Sequence, residues 1–90
     1  MANSKSAKKR IRQNAKRRER NKKVRTKMRT HVKQLEKALE AGDLEKAEQL
    51  FPNAESQLDR AVSKGIIPKN RAARKTGRLA RRLNQLREQA

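Results

Sequence analysis

The chain has 90 residues, of which 27 are Lys or Arg and 9 are Asp or Glu, for a formal net charge of +18. That length makes one small domain, and a hydrophobic share of 32% can line a seam between helices but cannot build a deep core. Cys is absent, which excludes disulfides and Cys-based zinc sites, and no apolar run approaches the roughly 20 residues of a membrane span.

The charge is segregated. Residues 1–33 carry net +14, residues 34–63 net −4 and residues 64–90 net +8. A surface built only for solubility mixes its signs, so two basic regions flanking an acidic middle point at a polyanion. The opening is acid-poor like a transit peptide, but its charge runs past the length at which such peptides stop, and it reads as part of the mature protein.

The first element is basic before it is apolar. Residues 6–23, "SAKKRIRQNAKRRERNKK", hold ten basic residues and one acid, Glu19. Ser4 and Ser6 are candidate N-caps, and a helix from Ser6 to Ala41 would be about 54 Å long. From residue 24 the spacing of Val24, Met28, His31, Val32, Leu35 and Leu39 marks one apolar face. Stepping back by sevens from that face reaches Arg17, Arg10, Asn21 and Asn14, none of them apolar. The N-terminal part of the helix therefore has nothing to pack with and projects as an arm. Lys5, Lys9, Arg12, Lys16, Arg20 and Lys23 form one lengthwise cationic stripe, and Lys8, Arg10, Arg17, Arg18 and Lys22 charge the other sides. Like charges repel across each turn, so the arm is expected to fray when free and to become helical when bound.

Gly42 offers a stop and Asp43 an N-cap for a second helix, whose stripe is Leu44, Ala47, Phe51, Ala54, Leu58 and Val62. Pro52 falls inside it on the outer face, where a kink or a short break near Phe51 is expected. Gly65 ends this helix and Pro68 suits the first turn of a third. There Ala72, Thr76, Leu79, Ala80, Leu83 and Leu86 line one side, while Arg71, Arg74, Lys75, Arg78, Arg81 and Arg82 are assigned to the other. The fold expected is all-α: a three-helix bundle over residues 24–90 with a long, basic N-terminal helix projecting beyond it over residues 1–23.

Nucleic acid is the polyanion that best repays such charge, by counterion release from phosphates. Phe51 is the one aromatic residue and belongs to an apolar stripe, so base stacking on aromatic platforms is not the binding style. Folded RNA, held through phosphate, ribose and shape, fits better. Two other classes fit less well. A DNA-coating protein would need a symmetric apolar dimer face or a groove-reading ribbon or helix pair. A membrane-surface helix would need more apolar surface opposite its charge than Ile11, Ala7 and Ala15 supply. His31 has no partner at metal-ligand spacing and reads as structural. Glu36, Glu40, Asp43, Glu45 and Glu48 read as helix-surface and first-turn charges. Gly77, inside the third helix, costs roughly 1 kcal/mol against Ala and is either merely tolerated or permits close approach of an RNA backbone. Neither a nucleophile–base pair nor a phosphate-cradling Gly loop is present, so no catalytic residue, metal, cofactor or small-molecule substrate is expected.

Three stretches together carry a resemblance: "ANSKSAKKRIRQN", "LEAGDLEKAEQLF" and "SKGIIPKNRAARKTGRLARRLN". Their order and separation resemble the S-twenty family of bacterial small-subunit ribosomal proteins over nearly the whole chain. Pro68, where the family usually has His, and Pro52 depart from its pattern. The resemblance implies a cytoplasmic, non-catalytic constituent of the ribosome that binds 16S ribosomal RNA and stabilises the packing of its helices during assembly. It implies contact with the 5′ domain and with the long penultimate stem near the 3′ end. By motif, Lys5, Ser6, Lys8, Lys9 and Arg10 match the family's opening RNA-contacting segment, and Lys69, Asn70, Arg71 and Arg74 match the start of its third helix. With the charge reading, the expected RNA-binding set adds Arg12, Lys16, Arg17, Arg18, Arg20, Lys22, Lys23, Lys75 and Arg78.

Overall fold

The computed structural model describes the backbone of residues 3–89 and the side chains of residues 6–89. Three helices follow one another: α1 (Asn3–Glu40), α2 (Leu44–Ser63) and α3 (Lys69–Gln89). The expected all-α architecture is the one observed. α1 and α2 form an antiparallel hairpin, and α3 packs mainly on α2, touching α1 over a shorter stretch. The molecule measures 69 × 21 × 15 Å, and its radius of gyration is 18.1 Å, against about 12 Å for a compact chain of this size. α1, about 57 Å long at 1.5 Å per residue, sets the long axis.

Both reversals are built by glycine. At the end of α1, Gly42 adopts φ 72°, its N–H donates to the Leu39 carbonyl at 3.2 Å, and the Asp43 N–H donates to the Ala38 carbonyl at 3.0 Å. That pair of bonds satisfies carbonyls the helix would otherwise leave open. Asp43 then caps α2, its carboxylate accepting from the Lys46 N–H at 3.2 Å. The motif recurs at Gly65, with φ 71°: Gly65 donates to Val62 and Ile66 to Ala61, both at 2.9 Å.

Three expectations need correction. α1 already runs through Ser4 and Ser6, so neither caps it; the side chain of Ser4 lies outside the described residues. Of the two alternatives at Pro52, a kink or a short break near Phe51, the break does not occur: α2 continues through Pro52. The exposed ring forfeits a single hydrogen bond, to the Glu48 carbonyl, and the packed face on either side holds the helix together. Pro68 lies one residue earlier than expected: its carbonyl accepts from the Ala72 N–H at 3.2 Å, so it occupies the cap rather than the first turn.

The core lies between residues 24 and 83. Val32, Leu35, Ala38 and Leu39 bury one face of α1 against Ala47, Ala54 and Leu58 of α2 and Ala72, Leu79 and Leu83 of α3, and Val24 of α1 and Ala61 of α2 are buried outside that cluster. Ala47, Ala54 and Ala61 recur every seven residues, and each is 0% exposed. Seven residues is close to two helical turns, so they make one narrow face with no long side chain to hold α1 away. Met28, Leu44, Leu50, Phe51, Val62, Ile67 and Leu86 close the edges.

Candidate nucleic-acid interface

Every side chain from residue 6 to residue 23 is exposed. This stretch of α1 continues the packed helix past the end of the bundle, because nothing apolar lies on its inner face. Lys9, Arg12, Lys16, Arg20 and Lys23 run along it, with Ser6 at its start. Lys8, Arg10, Arg17, Arg18 and Lys22 lie around the other sides. The side chain of Lys5 lies outside the described residues. Ile11 is 66% exposed and has only the small Ala7 and Ala15 beside it, too little apolar area for a membrane-surface helix.

Among the described residues there are two ion pairs, and both are in the bundle. Lys75 Nζ contacts Glu36 Oε1 at 2.6 Å, and Arg87 Nε contacts Glu48 Oε1 at 2.9 Å. Asp43 is committed to its cap and Glu45 to the first turn of α2. The first-turn charges are where the sequence reading put them, the two inter-helix pairs are additional to it, and among the described residues the arm's cations have no carboxylate partner.

α3 gives a second basic surface. Lys69, Asn70, Arg71, Arg74 and Arg78 are exposed, and Arg81 and Arg82 extend it. Lys75 is placed differently from the others. It lies three residues from Ala72 and four from Leu79, on the flank of the packed stripe, and its ammonium is engaged by Glu36 of α1. Gly77 sits on the open side of α3, and a Cβ added there would meet nothing within 4 Å. The protein's own packing therefore gives no reason for a glycine.

The two basic surfaces are joined by residues that the sequence reading did not place in the site. Arg25 and Arg29 continue the line of Arg18 and Lys22 along α1 past the point where the arm meets the bundle. Arg29 and Lys33 then share with Arg71 an open cleft of about 490 Å³, lined also by Met28, Val32, Leu58, Ile67 and the Glu36–Lys75 pair. The signal was available in the steps of three and four through 18, 22, 25, 29 and 33, but the apolar stripe beginning at Val24 drew the boundary instead. Arg60 and Lys64, at the end of α2, come beside Arg20, Lys23 and Lys27, which only the register of the hairpin could reveal.

His31 is half-buried, with its Nδ1 buried and without a partner, and among the described residues no three His, Cys, Asp or Glu side chains converge as a metal site. The hydroxyls of Thr26 and Thr30 are bonded back onto their own helix, donating to the carbonyls of Lys22 and Thr26 at 2.8 and 2.9 Å. What the arrangement offers is a rod with cations all round, continuous with a two-helix basic face.

Residues 2–84 match the family described as Ribosomal protein S20. Similar proteins, each named Small ribosomal subunit protein bS20, include that of Thermobifida fusca, 51% identical over 88 residues, covering 98% of this chain and 96% of the relative. That of Gluconobacter oxydans is 48% identical over 86 residues, covering 96% and 97%. That of Oceanobacillus iheyensis is 49% identical over 86 residues, covering 96% and 100%.

Proposed function

The chain belongs to the ribosomal protein S20 family, and on that premise we propose that it binds 16S ribosomal RNA directly and holds RNA helices together as the small subunit assembles. Membership makes it a component of the small ribosomal subunit, working in the cytoplasm within the ribosome, and a structural protein rather than an enzyme. The observation that carries the RNA reading is the arm: residues 6–23 are wholly exposed, basic on every side and without an ion pair. A helix with its side chains is roughly 10–12 Å across, so such a rod can lie between two phosphate backbones and lower the repulsion that opposes their approach. Residues 24–90 act as the platform that aims it. A molecule 69 Å long can touch RNA elements far apart in sequence, which suits contact with both the 5′ domain and the penultimate stem.

The test is footprinting of the purified protein on folded 16S RNA with duplex DNA as competitor. Protection along the 5′ domain and the penultimate stem that duplex DNA does not displace is the expected result. Equal binding to both nucleic acids would instead make this a general polyanion coat. A variant with Lys9, Arg12, Lys16 and Arg20 all changed to Gln should bind more weakly. Its log–log salt dependence should be shallower by roughly 0.7–0.9 for each phosphate that is no longer neutralised, with bundle melting unchanged.

A further inference from the structure

In a helical hairpin the residues flanking the apolar seam commonly carry opposite signs on the two helices, so that they pair across it. At the end of this hairpin where the arm departs, both sides are positive. Val24 and Ala61 are the last buried residues there. Beyond them Arg20, Lys23 and Lys27 of α1 and Arg60 and Lys64 of α2 surround a cavity of about 160 Å³ that no carboxylate lines. Gln57 of α2 lines it as well, with its side-chain oxygen buried and without a hydrogen-bond partner. The C-terminal end of a helix carries about half a negative charge, which accounts for one basic side chain near Lys64 and not for five. Five cationic side chains bordering one pocket with no carboxylate among them favour an anion in its middle.

We propose that this junction is a phosphate-binding site, at which one backbone phosphate of the bound RNA sits between the root of the arm and the C-terminal end of α2. The proposal rests on the RNA-binding reading above and names a site within it. The ligand chemistry is a tetrahedral oxyanion. The guanidinium groups of Arg20 and Arg60 can each bond two of its oxygens, the three ammonium groups supply point charges, and the Gln57 amide, turned over, presents its NH2. The consequence is mechanical. Without the anion, like charges push the root of the arm away from α2; with it, the arm is pinned to the bundle and its direction is fixed. α2, acidic over most of its length, thereby contributes its one basic end to the interface.

The test pairs two double variants of the full chain. Arg60→Gln with Lys64→Gln removes the α2 half of the site, and Lys37→Gln with Lys46→Gln removes two cations at the opposite end of the same hairpin. All four residues are exposed. In titrations against 16S RNA, the first variant should lose affinity five- to eightfold at 0.1 M salt and show a salt slope shallower by about 0.7–0.9, the value of one phosphate. The second should bind like the parent. Independently, inorganic pyrophosphate should raise the melting temperature of the free parent and of the Lys37/Lys46 variant, and much less that of the Arg60/Lys64 variant. Equal binding and equal pyrophosphate stabilisation of the Arg60/Lys64 variant and the parent would overturn the site, as would the same loss in both double variants. If the parent itself fails to bind 16S RNA, the proposed function falls instead, and the pyrophosphate melts alone decide whether the pocket takes phosphate.

Discussion

α1 is one unbroken helix whose two halves follow different physics. Its C-terminal half buries Val24, Val32, Leu35, Ala38 and Leu39 and is held by the hairpin. Its N-terminal half, residues 6–23, buries nothing and carries ten cations. Backbone geometry is the same on both sides of residue 24. The difference lies in what repays the entropy of ordering each residue, about 1–2 kcal/mol for the backbone. In the bundle, apolar burial offsets it. In the arm no apolar burial does, and the proposed function assigns that part to RNA. On that proposal the helix is a lever, its fulcrum inside the protein and its working end made for another molecule.

The largest effect should come from the fulcrum. Leu35 is fully buried, at 0% exposure, and Leu35→Ala should cost about 2–5 kcal/mol, read as a lower denaturation midpoint. RNA binding would fall with folding and be rescued by excess RNA through mass action. A variant that melts like the parent would mean that the core is not where the stability resides. Next is the turn at Gly65, whose left-handed φ of 71° costs a residue with a Cβ about 1–2 kcal/mol. Gly65→Ala should lower melting by that amount without altering the salt slope of RNA binding, and an altered slope would show that the turn also meets phosphate.

Gly77→Ala sharpens the comparison, because it separates an effect on folding from an effect on binding. With open space around its Cα, Ala should stabilise α3 by about 0.8–1 kcal/mol. Thermal melts and RNA titrations on the same preparation separate the two readings of this glycine: weaker binding indicates close approach of an RNA backbone, and unchanged binding indicates a glycine that is only tolerated. Smallest is Glu36→Gln. The Lys75 pair is partly solvated, with side-chain exposures of 42% and 30%, so its loss should cost about 0.2–1 kcal/mol. It should also free Lys75 and tighten RNA binding slightly. A clear drop in affinity would show that Lys75 reaches RNA only when Glu36 holds it.

The fold was legible because its signals are local. Apolar stripes at steps of three and four, and the two glycine stops, follow from the geometry of a single helix. Ala38 and Ala61 were missed, since a buried alanine and an exposed one such as Ala7 look alike until the partner helix is in place. Pro52 was placed on the correct face, but the packing that carries α2 past it is a tertiary effect. In the candidate site, the exposure of the arm could be deduced from what its inner positions lack. The pairing of Lys75 with Glu36, and the meeting of Arg60 and Lys64 with the root of the arm, join residues about forty positions apart and depend on helix register. Composition and periodicity do not encode that.

The division of α1 is tested most directly by amide hydrogen exchange on the protein alone and on its complex with 16S RNA. Without RNA, amides 28–39 and those of α2 and α3 should be protected, while amides 8–20 should exchange at nearly unfolded rates, because no buried apolar contact holds them. In the complex, amides 8–20 should slow by orders of magnitude. Protection of residues 8–20 in the free protein equal to that of the bundle would contradict the account, since the arm would then owe its order to the protein itself rather than to RNA.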